Sequence, residues 1–120
     1  MITSVGKFLR KLRIDRGEIL RDMADKLGVS SAFLSAVENG KKKMPDAWIP
    51  KLEGIYSLSS VQVSELKDAI VESSGIVEMK IASVSDETRQ LAISFARQFK
   101  DLDDETAKKL RSILDGSKGD

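Results

Sequence analysis

The side chains best placed for chemistry are three consecutive lysines in a short turn. Lys41, Lys42 and Lys43 belong to the sequence NGKKKMPD, whose glycine favours a tight change of direction. Ammonium groups and backbone amides in such a turn can close on the phosphates of a nucleic acid. The alternative is that these lysines are simply solvated, as lysine runs in turns commonly are. Their position directly after a short predicted helix favours phosphate contact.

Few side chains in the sequence are candidates for catalysis. The chain has no cysteine and no histidine, which excludes disulfides, thiolate nucleophiles and most zinc chemistry, and removes the commonest general acid and base. The carboxylates, lysines and hydroxyls that remain are scattered and form no catalytic constellation. We expect no enzymatic activity, no cofactor and no metal site.

Composition and charge are those of a folded protein with an uneven charge distribution. No apolar run is long enough to span a membrane, and MITSVGKFLRKLR lacks the apolar core of a signal peptide. We therefore expect a cytoplasmic protein with no membrane partner. The first 60 residues hold 11 Lys and Arg against 7 Asp and Glu, and residues 61–120 hold 9 against 12. The resulting charges of +4 and −3 suit a DNA-contacting first half, although such imbalances are common in soluble proteins.

Two short helices and a turn are predicted between Leu20 and Asn39. Ala24 is small enough for a close helix crossing, Gly28 can end the first helix in the left-handed conformation, and Ser30 can cap the second. The apolar positions at helical spacing are Met23, Leu27, Leu34 and Val37. This arrangement is typical of a helix-turn-helix, whose second helix, here Ser31–Glu38, commonly reads a DNA major groove.

Further helices complete the predicted first domain, residues 1–73. The first has Ser4 as a possible cap and ends at Gly17, with an apolar face of Val5, Phe8, Leu9 and Leu12. Another follows Asp46 as its cap and contains Trp48 as a core anchor, and a last one spans Ser60 to Ser73, with Ser60 as its cap. Arg13 lies beside the apolar face of the first helix, and a buried arginine needs a carboxylate partner. We predict that Glu38 is that partner.

The pattern changes after residue 75. The sequence IVEMKIASV, residues 76–84, alternates with a strand period, with Val77, Met79 and Ile81 on one side. A single strand needs a partner, and the simplest one is the same strand of a second copy; an extended linker is the alternative. An amphipathic helix is predicted from Asp86 to Lys100, and another after Asp103, as a hairpin. Residues 74–114 would thus form a dimerisation or partner-binding element, and residues 115–120 a disordered tail. The predicted dimerisation residues are Val77, Met79, Ile81, Leu91, Phe95 and Phe99.

The first half of the chain resembles the XRE-type, lambda-repressor-like family of bacterial and phage transcriptional regulators. The resemblance rests on VGKFLRKLR, MADKLGVSSAFLSAVENGKK and the later Pro45, and covers Val5 to Leu58. Its most specific parts are Ala24, Gly28, Leu34, Ser35 and the sequence Glu38-Asn39-Gly40. The family's usual arginine of the first helix and its glutamate after the recognition helix match Arg13 and Glu38. The resemblance implies an all-α fold in which a compact bundle of five helices binds DNA; here a short β-strand and a C-terminal helical hairpin would follow.

The resemblance also implies a set of DNA-binding positions. Leu20 stands where the family often has a glutamine that contacts the DNA backbone, and Ile19 stands where a Ser or Thr cap is usual, so the resemblance does not extend to that phosphate contact. The positions that match the family's base-reading residues are Ser31, Ala32, Phe33 and Ala36. Their side chains offer few bidentate hydrogen bonds, so thymine methyl contacts, water and DNA shape would contribute to specificity. Phe33 either contacts a thymine methyl group or lies at the edge of the hydrophobic core. The full set is Arg21, Ser30, Ser31, Ala32, Phe33, Ser35, Ala36, Asn39, Lys41, Lys42 and Lys43.

Two functions from different classes remain open at this point. The first is a sequence-specific DNA-binding regulator, most simply a repressor that binds a palindromic operator as a homodimer. The second is an antitoxin-type interaction module whose C-terminal segment grips a toxin or other regulatory protein, with DNA binding serving autoregulation. The expected partners are accordingly double-stranded DNA, a second copy of the chain and, in the second case, that protein.

Overall fold

The chain is all-α. The computed structural model describes residues 1–117, and none of the helices in that range is long and apolar enough to cross a membrane. A turn of 3-10 helix at Phe99–Asp101 follows α6. The α-helices are α1 (Ser4–Arg16), α2 (Leu20–Leu27), α3 (Ser31–Glu38), α4 (Trp48–Tyr56), α5 (Ser60–Ser74), α6 (Asp86–Gln98) and α7 (Asp104–Ser117).

The chain divides into two compact units. The first, Met1–Val77, contains α1 to α5, and the second begins at Glu78 and contains α6 and α7. The division falls after residue 77, whereas the sequence pattern placed it after residue 73. Helix α5 continues to Ser74, and Gly75 then ends it in the left-handed conformation with φ of 71°.

Helix starts follow capping chemistry, although two caps lie one residue before the predicted ones. Thr3, rather than Ser4, caps α1 by accepting a hydrogen bond from the Gly6 amide at 3.1 Å. Ser59, rather than Ser60, caps α5 and forms a capping box with Gln62. Adjacent hydroxyl residues compete for such positions, and the last extended residue before the helix is the one whose oxygen reaches the free amides.

The start of α4 uses no side-chain cap. Asp46 does not cap it, because the carbonyls of Pro45 and Asp46 accept from the amides of Trp48 and Ile49 at 3.0 and 3.2 Å. Backbone turns therefore satisfy the amides that a side-chain oxygen would otherwise take.

The core of the first unit joins all five of its helices. Leu9, Met23, Leu34, Leu52 and Leu66 come one from each helix and have no exposed surface. Full burial of side chains of this size stabilises a fold by roughly 1.5–3 kcal/mol each before entropy is counted. The same packing fixes where the outer faces of α2 and α3 lie.

The predicted strand at residues 76–84 is wrong, since no strand occurs in the described part of the chain. The backbone there has a different hydrogen-bonding partner. The guanidinium of Arg89 donates to the carbonyls of Ile81, Ala82 and Val84 at 2.9, 3.1 and 3.0 Å, and also pairs with Asp86. Alternating polarity fits a strand only when a neighbouring strand supplies the ladder; here a side chain of α6 supplies hydrogen bonds to three of the carbonyls instead.

The second unit exposes most of its apolar surface. Helix α6 has no buried residue and gives way at Phe99 to the 3-10 turn, earlier than the predicted end at Lys100. Helix α7 continues to Ser117, so residues 115–117 of the predicted disordered tail are helical, and residues 118–120 lie outside the described range. The sequence pattern predicted that these two helices form a hairpin. Within the described range, neither helix contributes a buried side chain.

Candidate nucleic-acid interface

Helices α2 and α3 are held at a fixed angle by the turn between them. Gly28 has φ of 74°, in the left-handed region where glycine carries no steric cost. The amide of Val29 donates to the Ala24 carbonyl at 3.0 Å, and Ser30 caps α3 by accepting from the Phe33 amide at 3.0 Å. Ala24 is fully buried, as expected for a close crossing. The local sequence thus builds a rigid two-helix unit.

Helix α3 has one buried and one accessible face. Leu34 and Val37 belong to the core. Apart from the partly buried Phe33, the accessible positions of α3 carry small side chains: Ser31, Ala32, Ser35 and Ala36, of which Ala32 is exposed and the others are partly buried. A helix surface of this kind allows close backbone approach to another surface and offers methyl groups and hydroxyls for contact.

Phe33 lies at the margin between these faces. Its ring meets that of Trp48 edge-on, with centroids 5.9 Å apart and an interplanar angle of 77°, and it is partly buried against the core. This geometry is a favourable aromatic pair. Phe33 therefore anchors α3 to α4 and leaves only part of its ring accessible.

Asn39 uses its side-chain amide within the protein. Its Nδ2 donates to the Ser35 carbonyl at 2.9 Å and lies 3.4 Å from Ser35 Oγ. The Ser35 carbonyl also accepts from the backbone amide of Asn39 at 3.0 Å, so the side chain adds a second hydrogen bond at the end of α3. Its side-chain oxygen remains as an acceptor, so Asn39 is first a helix-ending residue and only secondarily available to a ligand.

The lysine turn, residues 40–44, is fixed by its backbone. Gly40 adopts φ of 77°, and the amides of Lys41 and Lys42 both donate to the Ala36 carbonyl, at 2.8 and 3.2 Å. These two amides are therefore occupied, contrary to the expectation that turn amides could bind phosphate. The three lysine side chains are exposed, and within residues 1–117 none forms an ion pair. Arg21, at the start of α2, is likewise exposed.

Arg13 and Glu38 are brought together in the core beneath this surface. Arg13 Nη2 donates to Glu38 Oε1 at 3.1 Å, and Nη1 contacts Oε2, which makes the pair bidentate. The Glu38 side chain is 2% exposed, and Arg10 Nε approaches it from the solvent side at 3.6 Å. Met23 Sδ lies 3.4 Å from Arg13 Nη1. The pair ties the end of α3 to α1.

A second tie between α1 and α3 involves backbone groups that the sequence pattern did not predict. The amide and the hydroxyl of Thr3 both donate to the Glu38 carbonyl at 2.9 Å. A Cβ atom on Gly6 would lie 2.3 Å from that same oxygen, closer than any real contact. The signal in the sequence was a glycine inside the first turn of a predicted helix, which is unfavourable unless another backbone approaches closely.

A polar cluster that was also missed joins α1, α2 and α4. Tyr56 Oη donates to Glu18 Oε1 at 2.6 Å, Lys26 pairs with the same carboxylate, and Arg16 Nη2 donates to the Tyr56 carbonyl at 2.6 Å. Arg16 Cζ and Lys26 Nζ lie 5.5 and 5.4 Å from the centroid of the Tyr56 ring, within reach of a cation–π interaction.

The pKa values of this cluster follow from its contacts. Burial raises the pKa of the Glu18 carboxyl, but the hydrogen bonds from Lys26 and Tyr56 and the nearby positive charge outweigh it and hold that pKa below its ordinary value. Burial and then the hydrogen bond to Glu18 raise the pKa of Tyr56 far above its usual range. Both groups therefore keep fixed protonation states at neutral pH, which suits a structural role.

The predicted dimerisation residues lie outside this surface. Leu91 is 65% exposed, Phe95 and Phe99 are exposed with ring centroids 6.0 Å apart, and Val77 and Met79 are exposed as well. Ile81 is partly buried. Within residues 1–117 no group of His, Cys, Asp or Glu residues could hold a metal ion.

Comparison with known proteins adds no relative: no family model, no curated protein and no solved structure matches the chain.

Proposed function

We propose that this protein is a sequence-specific DNA-binding transcriptional regulator, most simply a repressor, with α3 as its recognition helix. One observation carries the proposal: apart from the partly buried Phe33, the accessible positions of α3 bear small side chains, and three exposed lysines that form no ion pair within residues 1–117 follow the helix. A surface that is narrow, polar and basic suits a helix lying in a major groove with cations over the adjoining phosphates.

The contacts divide into two kinds. Ala32 and Ala36 present methyl groups that fit thymine methyls, and Ser31 presents a hydroxyl, so these positions would read bases. Lys41 and Lys42 would contact phosphates through their ammonium groups alone, because their amides are bound to the Ala36 carbonyl.

We further propose that the first unit is a lambda-repressor-like domain of the XRE type. Supporting this are its five helices, the α2-turn-α3 unit and the buried Arg13–Glu38 pair. The departure at Ile19 has a structural counterpart: its amide is taken by the Asp22 carboxylate at 2.9 Å. Arg21, exposed in the first turn of α2, is our candidate for the phosphate contact in that region.

Binding as a homodimer belongs to the same proposal. A domain with one recognition helix reads one half-site, and a palindromic operator needs two such helices about one DNA turn apart. We do not place the dimer contact on strand pairing, because no strand occurs at residues 76–84 and Arg89 donates to three of the carbonyls there. We place the contact on the apolar face formed by Leu91 and Phe95 of α6 and Phe99 of the 3-10 turn that follows, which a second copy would cover.

The test is DNA binding by the full chain and by a variant with Lys41, Lys42 and Lys43 changed to alanine. Genomic fragments retained by the full chain would identify the operator, and fluorescence anisotropy with that operator would give affinity against salt. Each phosphate contact contributes about 0.9 to the slope of log affinity against log salt, so the variant should flatten the slope by up to about 2.7.

Matched controls make this result specific. A triple variant at the exposed lysines Lys51, Lys67 and Lys80 removes the same charge elsewhere. If both triple variants change DNA affinity and its salt dependence equally, the effect comes from total charge, and the lysine turn makes no specific phosphate contact. Retention of no genomic fragment above background would contradict DNA binding itself.

A second candidate function is an antitoxin-type module. The observation that favours it is the second unit, whose α6 buries no residue while Leu91 and Phe99 stay more than half exposed. Its test is coexpression with the product of the neighbouring gene. A stoichiometric complex that is lost in Leu91→Asp and kept in Lys67→Ala would support it.

A further inference from the structure

A pocket lies beside the end of α3, within the first unit. Its volume is about 290 Å³, and it is bounded by the N-terminal turn of α1, the C-terminal turn of α5 and the lysine turn. That volume is at the lower end for small-molecule sites. The proposed recognition of DNA uses two lysines of its rim, Lys42 and Lys43, but assigns no role to the cavity itself.

The wall of the pocket is apolar. Val5, Val37 and Met44 are core residues, and Ile70 is partly buried against them. They come from α1, α3, the lysine turn and α5 respectively. An occupant with a short hydrocarbon or aromatic body would therefore rest on side chains that are already buried and would cover the exposed part of Ile70.

The rim of the pocket carries donors and, among the described residues, no acid. Lys42 and Lys43 line it, and neither ammonium has an ion-pair partner within residues 1–117. Ser73 Oγ accepts from the Val5 amide at 3.1 Å, which leaves its own hydrogen to donate. The neighbouring carboxylate of Glu72 does not line the pocket and accepts from Ser4 Oγ at 2.8 Å.

We propose that this pocket binds a small organic acid with a short apolar body, such as an aliphatic carboxylate. The carboxylate lies between the ammonium groups of Lys42 and Lys43 and accepts from Ser73, and the body lies against Val5 and Ile70. Charge-assisted hydrogen bonds supply the anion preference, and the apolar wall sets the length of the body.

Such a ligand would also oppose DNA binding. Lys42 and Lys43 belong to the proposed phosphate contact, so a bound carboxylate and a phosphate would compete for them. This consequence rests on the proposed function, whereas the ligand site does not. The binding test for the pocket contains no DNA, so failure of the site and failure of DNA binding are separate results.

The probe is hexanoate, titrated into the ¹⁵N-labelled full chain at constant ionic strength. We expect saturable shifts confined to amides that line the pocket, such as Thr3, Gly40 and Ser74, with a dissociation constant on the order of millimolar for a ligand this small. Acetate has the charge without the body and hexan-1-ol the body without the charge, so each should bind at least fivefold more weakly.

Lysine variants test whether Lys42 and Lys43 bind the carboxylate of the ligand. Changing both Lys42 and Lys43 to glutamine should weaken hexanoate binding at least fivefold, whereas Lys41→Gln in the same turn should not, because Lys41 does not line the pocket. All three lysines are exposed, so folding is preserved. Shifts that do not saturate, equal binding of hexan-1-ol, or equal weakening by Lys41→Gln would each overturn the proposal.

Discussion

Replacing Glu38 with alanine tests how strongly the buried ion pair holds the first unit together. The carboxylate accepts from both terminal nitrogens of Arg13 and is 2% exposed. Removing it leaves a guanidinium in the core, where Met23 Sδ at 3.4 Å is a weak acceptor. Removing one partner of such a pair costs about 3–5 kcal/mol. In a unit of this size 1 kcal/mol shifts Tm by roughly 4–8 °C, so a fall of at least about 12 °C is expected.

The assay is thermal and urea unfolding followed by Trp48 fluorescence. Trp48 is the only tryptophan and is buried in the core of the first unit, so its signal reports that unit alone. Glu53→Ala, at an exposed position of α4, is the matched control and should change the free energy of unfolding by less than about 0.5 kcal/mol.

A double variant separates charge from packing. If the cost of Glu38→Ala is a stranded charge, then adding Arg13→Met should recover part of the lost stability, because it removes that charge and keeps a long apolar side chain. A loss below about 1 kcal/mol for Glu38→Ala, or no recovery in the double variant, would refute a stranded guanidinium as the source of the destabilisation.

Three further predictions concern packing, pH and assembly. Gly6→Ala should destabilise the first unit by about 1–3 kcal/mol in urea unfolding, because its Cβ would lie 2.3 Å from the Glu38 carbonyl oxygen; Gly54→Ala, with open space around it, should be neutral or stabilising. Since the folded pKa of Glu18 is lowered, its contribution is complete above the unfolded value near 4.5 and is lost as pH falls through the folded value. The stability difference between the wild type and Glu18→Gln should therefore shrink in unfolding measurements below pH 4.5; a constant difference would contradict this. Leu91→Asp should convert a light-scattering dimer of the full chain to monomer, and an unchanged mass would remove α6 from the contact.

Local chemistry let the sequence predict the two short helices α2 and α3 and the turn between them. Gly28 ends α2 and Ser30 caps α3, as expected, and both roles depend only on residues within one turn of each other. Apolar spacing likewise predicted which side of each short helix would be buried, as at Leu34 and Val37. These features need no knowledge of distant residues.

The buried arginine is an intermediate case. The position of Arg13 beside an apolar face implied that it needs a carboxylate, but the sequence offered Glu38 only as a candidate 25 residues away. The bidentate geometry, and the shared carbonyl of Glu38 that holds Thr3 and excludes a Cβ on Gly6, arise from the packing of α1 against α3. In the sequence, the only sign of this close approach of two backbones is Gly6, a glycine within the first turn of a helix.

The strand prediction failed because a strand and a helix satisfy their backbone hydrogen bonds in different ways. A helix satisfies its backbone within its own segment, whereas a strand depends on a partner that alternation of side chains cannot supply. At residues 81–84 the guanidinium of Arg89 takes three carbonyls instead, and on the lysine turn the Ala36 carbonyl takes the amides of Lys41 and Lys42. Which polar groups stay available to a ligand was decided by these tertiary and turn contacts, because each donor or acceptor already used within the protein is withdrawn from binding.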